Sequence, residues 1–207
     1  MIALRPEEST WMSTISITPA TTALVLIDLQ RGIVVGTTVP HAAKQVVEHG
    51  AQLATACRTA GALVVLVHVD VGPAGVLFPK VTTDVQRPPF AMPDDWADLV
   101  PEIGPAAGDV VVTKHQPNAF FGTDLDIQLT RRGIRTIVLG GISTNIGVEA
   151  TARAAYERGY DQIFVEDAMA AREVDLHEFP VRRYFPTIGR VRSTAEVLVA
   201  LGAPIAT

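Results

Sequence analysis

The stretch IVLGGISTNIGVEATARAAYERGY, residues 137–160, decides the fold of this chain. An apolar run ends in a pair of glycines, and small apolar residues then recur at helical spacing from about residue 145 to residue 159. This order predicts a buried strand, a tight turn and a helix. Gly147 is unusual in the first turn of such a helix, because glycine costs about 1 kcal/mol relative to alanine there. We interpret Gly147 as leaving space at a site, and close helix–strand packing is the alternative.

The same alternation of apolar runs and helical patterns continues along the rest of the chain. Runs this apolar are typical of strands that are buried on both faces of a parallel sheet. We predict strands at 22–28, 62–69, 109–114, 136–141, 162–168 and 188–193, and helices at about 40–60, 122–132, 145–159 and 194–201. The chain is therefore predicted to have an α/β fold: a single-domain, three-layer, doubly wound structure around a six-stranded parallel sheet.

The domain prediction separates an N-terminal extension, residues 1–18, from one domain that spans residues 19–207. Within this domain, residues 70–108 are rich in proline and glycine, and we expect only a short helix there, around Asp94–Leu99. Loops of this length inside a compact domain usually serve a function. We therefore predict that residues 70–108 form a cap beside the pocket.

Composition limits the classes of function that the chain can have. Its 207 residues, 48% hydrophobic and 19% charged, indicate a soluble globular protein. A net charge of −5 and the lack of a Lys/Arg run argue against a nucleic-acid partner. The first 17 residues contain no apolar run long enough to form a signal or to span a membrane. A single cysteine, Cys57, fits a reducing compartment. We expect a cytoplasmic protein that acts on a small molecule, with no nucleic-acid or membrane partner.

Two charged residues follow apolar strands at the positions where open parallel sheets bind ligands, the carboxyl ends of the strands. Asp28 ends ALVLID, and Lys114 ends VVVTK. A helix N-cap or a loop-bracing carboxylate is the plain alternative for Asp28, and a structural ion pair is the alternative for Lys114. Together, an acid and a lysine on separate strand ends form a stronger candidate for catalysis than either residue alone. Asp70, Gly140–Ser143 and Asp167 complete the set of strand-end positions.

The GGISTN turn offers a second candidate feature, a site for an anion. Backbone N–H groups at the start of a helix lack partners within the helix and lie at its positive end. They can therefore bind a carboxylate or an oxyanion. Ser143, Thr144 and Asn145 are also good helix-capping residues, and capping is the simpler role for them.

Two other kinds of site find little support in the sequence. Gly140, Gly141 and Gly147 do not have the G-x-G-x-x-G spacing of a dinucleotide site. The histidines show no spacing typical of metal ligands, so neither a metal nor a cofactor is predicted. These are four of the five histidines, His41, His49, His115 and His177; the fifth, His68, lies in a predicted strand.

Taken together, the motifs ALVLIDLQRG, VVVTKHQPNAFFGTDLDIQL, IVLGGISTNIGVEATARAAYERGY and IFVEDAMAA resemble those of the isochorismatase-like hydrolase superfamily, also called the cysteine hydrolase family. They occur in the family's order, and the resemblance extends over roughly residues 20–203. Within the family, the GISTNIGVE turn looks most like that of the YecD-like branch. The resemblance implies a six-stranded parallel sheet and a homo-oligomer.

The resemblance also assigns roles to individual residues. Asp28 and Lys114 match the catalytic acid and lysine of the family's amidases, and Gly147 aligns with their nucleophilic cysteine. The family often has a cis peptide bond five residues before that position, which here falls between Ile142 and Ser143. The metal-binding triad of the nicotinamidase branch is absent. Further residues of these motifs are expected to bind substrate: Gln30, Phe120, Ile142, Ser143, Thr144 and Asn145.

Loss of the thiol leaves three hypotheses about function. The first follows the isochorismatases, some of which also lack the cysteine: Asp28 would act as a general acid on a vinyl ether, Lys114 would orient it, and the Ser143 and Gly147 amides would hold a substrate carboxylate. The second is a degenerate protein that binds a metabolite without turnover. The third is an amidase that activates water directly. We favour a hydrolase of a small, carboxylate-bearing molecule.

Overall fold

The computed structural model describes residues 15–71, 81–85 and 92–203 of the chain. A six-stranded sheet lies at its centre, in the order β3-β2-β1-β4-β5-β6, and every neighbouring pair of strands is parallel. The strands are β1 (Thr22–Ile27), β2 (Leu63–Val69), β3 (Val110–Lys114), β4 (Thr136–Ile142), β5 (Asp161–Ala170) and β6 (Arg190–Arg192).

Helices connect these strands and cover both faces of the sheet. They are α1 (Arg31–Val34), α2 (Ala43–Ala60), α3 (Leu125–Arg131), α4 (Glu149–Glu157), α5 (Val174–Phe179), α6 (Phe185–Ile188) and α7 (Thr194–Ala200). Two π-helical turns, Thr144–Val148 and Pro180–Tyr184, lead into α4 and α6. Short 3₁₀ turns occur at Pro19–Thr21 and Pro101–Ile103. Among the described residues, no helix is both long enough and apolar enough to cross a membrane.

Each face of the sheet has its own hydrophobic core, because side chains alternate between the two faces along a strand. Strand β1 shows this alternation: Val25 and Ile27 belong to the core that includes Leu125 and Leu129 of α3, whereas Leu24 and Leu26 belong to the other. Helices α4 and α6 also contribute to the first core, and α2 and α7 to the second. This arrangement confirms the three-layer, doubly wound fold.

The order of the strands determines where a site can form. From β1 the chain moves outward through β2 to β3, and it then returns to the other side of β1 to build β4, β5 and β6. The direction of winding therefore reverses between β1 and β4. The loops that follow these two strands turn away from each other and leave a crevice at the carboxyl edge of the sheet. Asp28 and the turn that follows Ile142 both lie at this crevice.

Some local predictions are wrong. Residues 94–97 form a turn and Leu99 pairs with Gln30 in an isolated bridge, so no helix forms around Asp94–Leu99. The segment instead follows the loop after β1, where the amide of Gly32 donates to the carbonyl of Trp96. Helices α1, α5 and α6 were not predicted, because segments this short carry little periodic signal. The other helices and all six strands lie within a few residues of their predicted bounds.

The predicted domain boundaries stay a prediction. Residues 1–14 of the predicted extension and much of the predicted cap lie outside the described residues. Ile17, within the predicted extension, is buried in the core beside α2.

Strand β4 approaches β1 closely at a glycine. Gly141 has a φ of +129°, and a Cβ atom at this position would lie 2.1 Å from the carbonyl oxygen of Ile27. Ile27 directly precedes Asp28, so this contact fixes the distance between the two sides of the crevice. Gly159, at the end of α4, has a φ of +78° but has open space around the corresponding position.

We predict that Gly141→Ala destabilises the fold far more than Gly159→Ala does. Both substitutions force alanine into a backbone conformation that favours glycine, at about 1–2 kcal/mol. Only Gly141→Ala adds a collision with main-chain atoms, which brings its expected cost to about 3 kcal/mol or more. Urea unfolding of the two variants and the wild type measures the difference. Equal losses of stability would contradict the close approach of β4 to β1.

Candidate active site

Asp28 is positioned by the end of β1 and is almost completely buried. Its φ is +56°, an uncommon value for a residue with a side chain. Its amide donates to the carbonyl of Val67 in β2, at 2.8 Å. The backbone therefore leaves the sheet at a fixed angle, and the carboxyl group is held at the crevice.

Lys114 is the last residue of β3 and is 1% exposed. Its Nζ donates to Asp28 Oδ2 and to the carbonyl oxygen of Pro117, each at 2.9 Å. Strand β2 lies between β3 and β1, so the two side chains and their hydrogen bond together bridge two strand spacings, about 9–10 Å. Asp28 and Lys114 therefore form a buried ion pair.

The environment of Asp28 favours a carboxyl group that can gain and lose a proton near neutral pH. Burial raises the pKa of Asp28 to about 6, and the charge and hydrogen bond of Lys114 oppose the increase. Asp28 Oδ2 accepts from Lys114, whereas Oδ1 is buried and has no hydrogen-bond partner among the described residues. A buried carboxyl oxygen without a hydrogen-bond partner can carry a proton and donate it to a molecule bound beside it.

The turn after β4 forms the opposite wall. The peptide bond between Ile142 and Ser143 is cis, as the sequence resemblance implied. A Cβ atom at Gly147 would lie 2.8 Å from Ile27 Cγ2, 3.0 Å from Asp28 Oδ2 and 3.3 Å from Lys114 Nζ. Any side chain at this position would therefore contact the ion pair directly. The turn thus packs closely against Ile27 of β1, as in the alternative given for Gly147, and Gly147 also lines the cavity at the ion pair, so a role at a site stays a prediction.

A cavity of about 160 Å³ opens onto the ion pair. It is lined by five of the residues proposed from the sequence: Asp28, Lys114, Ile142, Ser143 and Gly147. This volume is below the roughly 300–1,000 Å³ of drug-sized ligand pockets, so the cavity accommodates only a small group.

Six further residues line this cavity and were missed from the sequence: Ile33, Val69, Gln116, Pro117, Ile146 and Arg172. Gln116 and Pro117 lie just after Lys114 in the chain, so their closeness to this strand end could have identified them as site residues from the sequence. Arg172 lies two residues beyond β5 and donates to the carbonyl of Thr37 at 3.0 Å. It brings a cation to the cavity, and no feature of the local sequence indicated this.

Two proposed substrate-binding residues have structural partners instead. Gln30 is fully buried. Its side-chain NH₂ group donates to the carbonyls of Val69 and Trp96, and its side-chain oxygen accepts from the N–H of Val69. It braces the loop after β1 against β2. Phe120 is buried in the core next to α3, where it stacks on Tyr160 at 6.0 Å between ring centroids. Neither residue lines the cavity.

Thr144 and Asn145 also lie outside the cavity lining, and the expected helix capping is not formed. The Ser143 hydroxyl donates to Asn145 Oδ1 at 3.1 Å, and the Thr144 hydroxyl pairs with Nδ1 of His177 at 2.9 Å. The amides of Ile146 and Val148 both donate to the carbonyl of Ser143. These two N–H groups already have hydrogen-bond acceptors, so fewer backbone donors remain for the anion site that the sequence suggested.

Asp167, another strand-end candidate, lies within β5 and has a structural role. Its Oδ1 accepts from the amide and the hydroxyl of Thr194 at the start of α7. The single cysteine, Cys57, lies on α2 and is completely buried. Burial raises the pKa of the Cys57 thiol to about 12, so this thiol is unreactive.

A group of potential metal ligands lies outside this cavity. Nitrogen atoms of His41 and His177 and a carboxylate oxygen of Glu166 all lie within 4.8 Å of one another. The sequence analysis missed this group because its members come from a loop, a strand and a helix, far apart along the chain. None of the three lines the cavity at Asp28.

Comparison with known proteins identifies the relatives of this chain. Residues 22–196 match the model of the isochorismatase domain. The chain is 48% identical to the isochorismatase family protein YwoC of Bacillus subtilis, over 90% of this chain and 97% of YwoC. It is 44% identical to the isochorismatase family protein YecD of Escherichia coli O157:H7, over 87% of this chain and 96% of YecD. An isochorismatase family protein from Burkholderia thailandensis has a similar structure, with a TM-score of 0.86 and 46% identity over 92% of this chain and 100% of that protein.

We predict that a cysteine introduced by Gly147→Cys reacts with iodoacetamide near neutral pH much faster than the native Cys57. The Lys114 ammonium and the adjoining helix start favour a thiolate at this position, whereas the Asp28 carboxylate opposes it when ionised. We expect the first two effects to be larger. Mass spectrometry of peptides from timed labelling reactions measures both rates.

The wild-type protein and Cys57→Ala in the Gly147→Cys background are the controls for this experiment. Circular dichroism must show that the variant is folded, because the new Cβ atom crowds Ile27. Equal labelling rates at positions 147 and 57 in a folded variant would contradict an electropositive site at the turn.

Proposed function

The chain belongs to the isochorismatase family of hydrolases, and we propose that it hydrolyses a small, carboxylate-bearing molecule by general acid catalysis at Asp28. The observation that carries this proposal is the state of the Asp28 carboxyl group. It is buried, its pKa is raised to about 6, and its Oδ1 has no hydrogen-bond partner among the described residues. A carboxyl group with these properties can be protonated when substrate binds and can then donate that proton.

In the proposed reaction the substrate is a vinyl ether. Asp28 gives its proton to the terminal vinyl carbon, which leaves an oxocarbenium ion at the adjoining carbon. Water adds to that carbon and loses a proton to the Asp28 carboxylate. The resulting hemiketal then releases an alcohol and a ketone, so one water molecule is consumed and Asp28 is again protonated. No covalent bond to the enzyme forms, in agreement with a chain whose single cysteine is buried on α2.

Lys114 and Arg172 have separate roles in this proposal. Lys114 orients Asp28 through the 2.9 Å hydrogen bond and stabilises the carboxylate that remains after proton transfer. Arg172 lies in the cavity wall, where one N–H group bonds the carbonyl of Thr37. A guanidinium has further donors and pairs well with carboxylates, so Arg172 supports the choice of an anionic substrate.

Two other functions would leave different signals in a turnover assay. Isochorismate represents the proposed vinyl ether substrates, and nicotinamide and other small amides represent the substrates of an amidase that activates water directly. Turnover of the amides alone would favour the amidase. Binding without turnover of any of them would favour a degenerate metabolite-binding protein.

We predict that Asp28→Asn lowers kcat/KM at least about 100-fold, because the amide cannot donate the required proton. The wild-type rate should also depend on pH in a defined direction. General acid catalysis needs protonated Asp28, so kcat/KM should fall about tenfold per pH unit as the pH rises above about 6. An amidase that uses Asp28 as a base would show the opposite dependence, with kcat/KM rising as the pH increases toward about 6 and staying level above it.

Asp109→Asn is the matched control for the Asp28 variant. Asp109 is also a buried carboxylate in an ion pair, with Arg58 at 2.6 Å, but it precedes β3 at the opposite edge of the sheet. We expect this variant to lose stability and to retain its kcat/KM per folded molecule. Wild-type activity in folded Asp28→Asn would contradict the proposed mechanism.

A further inference from the structure

We propose that His41, Glu166 and His177 form a binding site for a divalent transition metal ion such as Zn²⁺. Two imidazoles and one carboxylate are a ligand set that zinc accepts, with a fourth position left for water or a bound molecule. All three residues line one cavity of about 680 Å³, which is separate from the cavity at Asp28. The ligand atoms therefore have open space beside them.

The two distances from Glu166 to the histidines are close to those between ligands of one metal ion. Glu166 Oε2 lies 3.5 Å from His41 Nε2 and 3.7 Å from His177 Nε2. Hydrogen bonds between such groups are usually about 2.7–3.2 Å long. Ligands around a tetrahedral zinc ion, at about 2.0–2.2 Å from the metal, lie about 3.3–3.5 Å from one another. A small movement of the side chains would bring all three atoms within coordination distance.

The backbone holds each ligand in place independently. His41 follows a segment that pairs with the end of β5, where the amide and carbonyl of Val39 bond those of Ala171, each at 2.9 Å. Glu166 lies within β5, and His177 lies on α5. The site is therefore preorganised by three elements that the fold has already fixed, which lowers the cost of binding.

A second layer of contacts orients the most buried ligand. The His177 side chain is 3% exposed, and its Nδ1 pairs with the hydroxyl of Thr144 at 2.9 Å. Metal-binding histidines usually make such a bond through the ring nitrogen that does not face the metal. Thr144 begins the π-helical turn that carries Gly147, so the metal site and the active-site turn share a residue.

The experiment measures metal binding to the full chain by equilibrium dialysis against Zn²⁺ or Co²⁺. We expect one ion per chain, and visible absorption bands of a low-coordinate Co²⁺ site that Zn²⁺ abolishes. Glu166→Gln and His41→Asn should each weaken binding about 100-fold or more, since each removes a ligand. Both side chains are partly exposed, so these variants are expected to fold. Thr144→Val should weaken binding about 10–100-fold.

His49→Asn is the matched control. His49 Nδ1 lies 3.6 Å from Asp167 Oδ2, a similar imidazole–carboxylate pair outside the three-ligand group. This variant should bind metal within about twofold of the wild type. The proposal is overturned if the wild type shows no saturable binding up to about 1 mM metal. It is also overturned if Glu166→Gln binds as tightly as the wild type, or if His49→Asn weakens binding as much as Glu166→Gln does.

Discussion

The buried ion pair between Asp28 and Lys114 is the interaction on which the rest of the site depends. The two side chains come from β1 and from β3, which are not neighbours in the sheet, and meet at 2.9 Å over the end of β2. Removing two charges from water is costly, and a buried pair of this kind often contributes little to net stability. The pair lines a cavity at the point where the winding of the sheet reverses, which is where such sheets bind ligands. We therefore attribute the pair to the function of the site rather than to stability. Burial raises the pKa of the Asp28 carboxyl group to about 6, and the neighbouring Lys114 opposes this increase.

Two glycines make this arrangement possible by leaving out side chains. Gly141 allows β4 to approach the backbone of Ile27, and Gly147 allows the turn after β4 to pack against the Ile27 side chain and the Asp28–Lys114 pair. The first is a requirement of backbone geometry, because its φ is positive and main-chain atoms surround it. The second is a requirement of the site, because the atoms nearest to its missing Cβ include both members of the ion pair.

The sequence predicted the features that follow from regular patterns. Apolar runs located the strands, and the rule that ligands bind at strand ends brought Asp28, Lys114 and Ser143 to one cavity. Prediction from the sequence failed for side chains whose hydrogen-bond partners are backbone groups or residues far along the chain. Gln30 looked available for substrate, but its partners are main-chain atoms of Val69 and Trp96.

Two other features were not predicted, because residues far apart in the sequence form them. Arg172 reaches the cavity only because β5 runs beside β4, and nothing in its local sequence shows this. The three-residue group of His41, Glu166 and His177 is assembled from separate elements, so its members have no regular spacing. Such contacts depend on the order of strands in the sheet, which one sequence does not display.

The central claim is that Asp28 exchanges its proton near neutral pH despite the neighbouring ammonium group. Carbon-13 NMR of the wild-type protein labelled at aspartate side-chain carboxyl carbons tests this directly, with Asp28→Asn identifying the signal. Our account predicts that the Asp28 resonance titrates with a pKa near 6, because burial outweighs the attraction of Lys114. An Asp28 carboxylate that stays ionised down to about pH 4, as an unperturbed aspartate does, would contradict it.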